Sequence, residues 1–190
     1  MDKPGKTARP LRADAKRNRA NVLRVAIAAF AEEGLSVSIH EIARRAGVGT
    51  GTVSRHFPTK DALYEAIVLA RLEYLVTRAG ELAASREPGE AFFDFLSVVL
   101  AEGSTNQGLV DAFSGAGFDI EAAVAGSEHD FGRALGDLLA SARSAGAVRS
   151  DVDPADVKAV IEGCMARERH GTDEVARERM LAMAIRGLRA

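Results

Sequence analysis

The sequence predicts an all-α fold. Apolar residues recur at helical spacing through most of the 190 positions. Capping residues, glycines and prolines break that pattern into helix-length pieces. No segment alternates apolar with polar residues between hairpin turns, as a half-buried strand would. There is no internal repeat.

Each element has its own signal. Residues 1 to 13 mix Pro, Gly, Lys and Arg without apolar periodicity and read as a flexible basic arm. Leu23, Ile27, Phe30 and Ala31 then share one helical face, and Gly34 offers a left-handed stop, which predicts a first helix over 14 to 33. Ser38-Ile39-His40-Glu41 is a capping box in which the hydroxyl takes a free N–H and the carboxylate reaches back to the cap; it opens a second helix that ends at Gly47. A short third helix spans about 50 to 57 and stops at Pro58. Thr59 caps a fourth, 60 to about 84, with Leu63, Ile67, Ala70, Tyr74 and Arg78 along one stripe. After the break at 85 to 90, Phe92, Phe95, Leu96, Val99 and Leu100 mark a strongly apolar helix. The Gly-rich stretch 104 to 119 predicts only a short helix near 107 to 113. A long helix is expected over 120 to 145, carrying Val124, Phe131, Leu135, Leu138 and Leu139, although Gly126, Gly132 and Gly136 each weaken it by about 1 kcal/mol relative to alanine. Asp153-Pro154 pairs a cap with a first-position proline and opens a helix to about 169. Thr172 or Asp173 caps the last, to about 188.

Composition narrows the function. With 47% apolar residues the chain can bury a core, and no apolar run reaches the roughly 18 residues of a membrane span. Nothing behind the basic N-terminus makes a secretory signal, so a cytoplasmic location is expected, with no membrane partner. The single cysteine, Cys164, cannot form an internal disulfide and lies in an apolar stretch, where it reads as a packing residue. The charge is uneven. Residues 1 to 57 hold eleven Lys and Arg against five Asp and Glu, a net +6, whereas residues 58 to 190 hold fourteen against twenty-two, a net −8. A basic front on an acidic body suits a polyanion for the front alone, or else a solvated basic tail.

The stretch Gly47-Val48-Gly49-Thr50-Gly51-Thr52-Val53-Ser54-Arg55-His56 favours the polyanion. Two short helices joined across Gly47 match a helix-turn-helix. A recognition helix brings its N-terminal residues to base edges in the major groove. Small residues let its backbone approach closely, and threonine offers a methyl to thymine and a hydroxyl to base or phosphate. Val53 and Phe57, four apart, would hold the helix on its scaffold. The candidate DNA-binding residues are Ser38, Arg44, Thr50, Gly51, Thr52, Ser54, Arg55, His56 and Lys60. Arg55 suits a bidentate contact to guanine, and His56 and Lys60 suit phosphate. An ordinary Gly-rich loop flanked by solvated charges is the alternative.

The string from Ala43 to Val53, followed by His56-Phe57-Pro58-Thr59-Lys60-Asp61-Ala62-Leu63, resembles the DNA-binding domain of the tetracycline-repressor (TetR) family, and the likeness extends over about 17 to 68 through Ala28-Ala29-Phe30 and Glu33-Gly34. The remainder is similar in helical layout, with Gly146 to Arg149 and Asp151 to Pro154 resembling the start of a late helix. The resemblance implies a homodimeric transcriptional regulator. It would have a DNA-binding head over 14 to 60 and a body over 61 to 190 that binds an effector and dimerises through its last two helices. The family commonly carries Tyr where this chain has Ser54, and often where it has His56. That shifts the expected specificity toward Thr50, Thr52 and Arg55.

In the body, Phe92, Phe95, Leu96, Val99, Phe113, Phe118, Phe131 and Leu135 are the candidate ligand-binding residues. Singly each reads as core; together they suit a small apolar or aromatic effector if packing leaves a cavity. Glu128, His129 and Asp130 are consecutive and cannot converge on one ion from a helix, so no metal or other cofactor is expected. Val157, Val160, Ile161, Cys164 and Met165 face a stripe of Leu181, Ala184, Ile185 and Leu188, as a dimer interface or a lid on the monomer core. No GxSxG, HExxH or paired Cys/His spacing is present, so no enzyme is expected. The expected partners are a double-stranded DNA operator, a second copy and an effector that releases a repressor. An activator with the same head, or a helical small-molecule binder without DNA, stays open.

Overall fold

The computed structural model describes residues 8–115, 130–168 and 174–190. These residues form helices joined by short turns, with one isolated antiparallel bridge between Val148 and Arg189. None of the described helices is long and apolar enough to cross a membrane.

Helix α1 is Ala8–Glu33 and starts before the predicted position 14. Pro10 sits in its first turn, where the missing N–H has no intrahelical acceptor to lose, so this proline does not mark a boundary. Residues 1–7 of the expected arm lie outside the described residues. Helices α2 (Ile39–Ala46), α3 (Thr50–His56) and α4 (Lys60–Ser85) begin where their caps put them. Ser38 Oγ accepts the Glu41 N–H at 3.1 Å and Thr59 Oγ1 accepts the Ala62 N–H at 3.0 Å. The return half of the predicted capping box does not form: the Glu41 carboxylate turns to Arg44 and Arg45 instead. Gly47 ends α2 at φ 66°, its N–H donating to the Arg44 carbonyl while the Val48 N–H donates to that of Ala43. This paired arrangement needs a left-handed residue, which glycine supplies without strain.

Helix α5 (Pro88–Gly115) absorbs the short helix expected at 107 to 113. Burial of Phe92, Phe95, Leu96, Val99 and Leu100 anchors it, and that packing outweighs glycine's cost of about 1 kcal/mol per residue. Helix α6 (Phe131–Ser144) corrects the long helix expected from 120, because Asp130 is a cap whose carboxylate accepts the Arg133 N–H at 2.8 Å. An aspartate that bonds the backbone just ahead of it competes with helix continuation. Residues 120–129 lie outside the described residues. Helices α7 (Pro154–Glu168) and α8 (Glu174–Leu188) follow. Asp153 and Asp156 cap α7 reciprocally, each carboxylate taking the other's N–H at 2.9 to 3.0 Å. The predicted caps of the last helix, Thr172 and Asp173, are outside the described residues.

Two cores result. The head buries Val22, Ala26 and Phe30 of α1, Ile42 of α2, Val53 of α3 and Leu63 and Ile67 of α4, with the Phe30 and Tyr64 rings edge to face at 5.7 Å. The body buries Phe92, Phe95 and Leu96 of α5, Leu138 and Leu139 of α6 and Val157 of α7. Among the described helices only α4 gives buried residues to both, through Leu63 to Ile67 at one end and Ala79 and Leu82 at the other. At 100° per residue these two faces lie about a third of a turn apart. Tyr74 prolongs the head-facing stripe past the point where the head ends. It is therefore 41% exposed, not buried as the periodicity predicted.

Candidate nucleic-acid interface

Helix α3 is short, and its inner face holds it in place. Val53 is fully buried and Phe57 nearly so, the spacing of four that places both on one side. Gly49, extended at φ −70° and ψ 148°, begins the helix by accepting the Thr52 N–H at 2.9 Å. On the other side Thr50, Gly51, Ser54 and Arg55 are exposed, with Thr52 and His56 half-buried. The structure thus gathers six of the nine predicted DNA-binding residues on one short helix. Ser38, Arg44 and Lys60 flank it, all exposed.

The glycines fall into two kinds. Gly47 is required by its backbone angle. Gly49 and Gly51 are not left-handed, and a Cβ at either would meet nothing within 4 Å. Within the protein, then, neither backbone conformation nor packing calls for glycine at 51, where alanine would favour the helix.

The cations near α3 are differently engaged. Arg44 donates from Nη2 and Nε to Glu41 at 2.6 and 2.8 Å, Arg45 donates from Nε to Glu41 at 2.7 Å, and Arg45 also pairs with Glu33, tying α2 to α1. The hydrogen bond from Arg44, then that from Arg45, holds the Glu41 carboxyl down at about 2. Glu41 holds both guanidinium pKa values above their ordinary value. Lys60 Nζ donates to the Leu35 carbonyl at 3.0 Å, which ties the start of α4 to the turn before α2. Arg55 makes no ion pair or hydrogen bond among the described residues.

Two contacts made by α1 escaped the sequence reading, although Arg19 itself closes the basic stretch 1 to 19, which is expected to track phosphates or enter a minor groove. Asn21 Nδ2 donates to the Ala46 carbonyl at 2.8 Å, and the Arg19 guanidinium lies 5.2 Å from the centre of the Phe57 ring. Both are polar positions on a helix read for its apolar stripe. The one available signal was the density of Arg and Asn between 17 and 24.

The predicted effector residues that the structure describes belong to the body core and do not line its open groove. Phe92, Phe95, Leu96, Val99 and Leu135 are packed into the body core, and Phe131 is half-buried with its ring 6.0 Å from that of Phe95. The Phe113 side chain and Phe118 lie outside what is described. An open groove of about 500 Å³ runs between α4, α5 and α6 over Val76, Ala79, Ala83, Ala134 and Leu138, and none of the predicted residues lines it. Cys164 is buried, as expected. Among the described residues no three His, Cys, Asp or Glu side chains gather around a point where an ion could sit.

The family model for bacterial regulatory proteins of the tetR family matches residues 22–67, and that for the C-terminal domain of SbtR-like transcriptional regulators matches residues 87–190. A TetR transcription regulatory protein from Mycobacterium vanbaalenii is 48% identical and superposes with a TM-score of 0.79, covering 95% of this chain and 100% of that one. A TetR transcriptional regulator from Streptomyces coelicolor is 31% identical with a TM-score of 0.68, over 90% and 98%. A curated HTH-type transcriptional regulator of Staphylococcus aureus is 37% identical over 68 residues, 35% of this chain and 37% of that relative's length.

Proposed function

The chain belongs to the tetR family of bacterial transcriptional regulators, and on that premise we propose that it is a homodimeric repressor, released from a pseudo-palindromic operator by a small apolar or aromatic effector. The observation that carries the reading is α3 itself: a helix anchored by Val53 and Phe57 that exposes small residues together with Arg55, a cation without a partner among the described residues. In this reading Arg55 takes a guanine edge and Thr50, Thr52 and Ser54 take neighbouring bases or phosphates. Gly51 allows close backbone approach. His56, Lys60, Arg44 and Ser38 lie along the phosphates, Lys60 exchanging the Leu35 carbonyl for a phosphate oxygen.

Helix α8 supports the dimer. It exposes Val175 and Met183 and half-buries Met180, Leu181, Ala184 and Ile185, while α7 leaves small residues such as Ala159 and Gly163 at the surface. Two copies joined there would present two α3 helices about 34 Å apart, one turn of duplex. Because α4 is shared by both cores, an effector among α4, α5 and α6 that shifts it would change this spacing. Coupling of about 1 to 3 kcal/mol suffices. The test is a mobility-shift titration of the purified protein on DNA from upstream of its own gene, against an unrelated duplex. Selective, salt-sensitive binding is expected; equal affinity for both duplexes refutes the proposal.

A further inference from the structure

We propose that Arg19 is a phosphate-binding residue of the DNA interface, held by Phe57 beside the last turn of α3. The inference rests on reading α3 as the DNA-contacting helix and adds a residue from a different element. Arg19 is exposed, and its guanidinium lies 5.2 Å from the centre of the Phe57 ring. That ring is a fixed surface: Phe57 is 2% exposed, and its N–H closes α3 on the Val53 carbonyl at 2.8 Å. The backbone beneath Arg19 is also fixed, since Asn21 ties this part of α1 to the Ala46 carbonyl.

A guanidinium over an aromatic ring engages through its face and keeps its N–H groups free at the edge. The neighbouring arginines are already engaged within the protein. Arg17 pairs with Asp14, Arg24 donates to Asn21, and Arg44 and Arg45 pair with Glu41. Between Arg17 and Arg55, Arg19 and Arg55 are the arginines with no hydrogen bond or ion pair among the described residues.

Position decides the ligand. Base edges are met from the recognition helix itself, whereas Arg19 belongs to α1 and lies beside the Phe57 ring that follows α3, next to the last-turn residues Arg55 and His56. The carbonyls at that end carry partial negative charge that disfavours phosphate. An arginine fork placed there offsets it and matches phosphate oxygens in pairs.

The experiment measures binding of the full chain to its upstream operator duplex and to a scrambled duplex across a salt series by fluorescence anisotropy. Arg19→Gln should weaken both duplexes alike, by roughly 5-fold per protomer at about 0.15 M salt, and flatten the log–log salt slope by about 0.9 per protomer. Arg19→Lys, which keeps the charge without the planar fork, should restore the slope and only part of the affinity. An Arg19→Gln protein with wild-type slope and affinity overturns the assignment, and so does a loss confined to the operator with the slope unchanged. Wild-type protein that binds neither duplex overturns the regulatory reading and this inference together, so the two failures are distinguishable.

Discussion

Replacing Gly51 by alanine separates what the fold needs from what DNA needs. Gly51 is the second residue of α3, is not left-handed, and would place a Cβ in open space. Alanine there removes backbone freedom from the unfolded chain and introduces no clash, a gain of about 0.4 to 1 kcal/mol. For a chain of this size that raises the melting midpoint by roughly 1 to 4 °C. Gly49 is a poorer probe, because it occupies the cap position, where alanine is itself unfavourable. On DNA the sign reverses. If the α3 backbone approaches the groove at 51, a methyl group forces it outward and loosens the adjacent contacts, each worth about 1 to 3 kcal/mol, or roughly 5- to 150-fold in affinity. Differential scanning calorimetry and anisotropy titration on one preparation give both numbers. A variant that melts higher and binds its operator as tightly as the wild type refutes the reason given for glycine at this position, and a variant that melts lower refutes the backbone reasoning.

The same substitution at Gly89 should act oppositely, because a Cβ there falls 2.5 Å from Ala147 Cβ and Ala147 is held in the turn after α6; a loss of about 1 to 3 kcal/mol is expected by thermal unfolding. Arg55→Ala should weaken operator binding more than binding to unrelated DNA, and equal losses on competitive titration would make Arg55 a phosphate contact. Glu41 tests the α1–α2 ion cluster. Its pKa is lowered from 4.5 to about 2, so its contribution is present above 4.5 and is lost as pH falls toward 2. The difference in melting midpoint between wild type and Glu41→Gln should therefore close over that window, and a difference that is flat with pH shows that charge is not its source.

Element by element, what the sequence revealed depended on how local the cause was. The caps at Ser38 and Thr59 and the stop at Gly47 act within four residues, and each stands where the residue types placed it. Two of the errors came from non-local causes. Glycine content suggested a break near 104, but α5 is held by burial along Phe92 to Leu100 and by Met165 of α7 filling the space that Gly103 leaves. Periodicity placed Tyr74 inside because it could not register that α4 changes partners halfway along. In the candidate interface, Val53, Phe57 and the outward face of α3 follow from a spacing of four and were legible. The placement of Arg19 over Phe57 was not, because it depends on packing between α1 and the residue that ends α3, 57 − 19 = 38 positions apart in the chain.

That change of partners on α4 also bears on how release would work. Leu63 to Ile67 of α4 are packed into the same core that anchors Val53 of α3, so a displacement of α4 would carry to the proposed recognition helix. In the proposed switch an effector would act on α4 from its other end, where Ala79 and Leu82 meet the body. Between those ends Arg71 of α4 pairs with Glu102 of α5 at 3.2 Å, both half-buried. Sliding or rotating α4 along α5 must stretch that pair in a partly desolvated setting, where separated charges are costly. The pair therefore favours one position of α4 over nearby ones. A ligand can shift α4 only by as much as its contacts favour the shifted position over this one, and it must also offset the preference set by that pair.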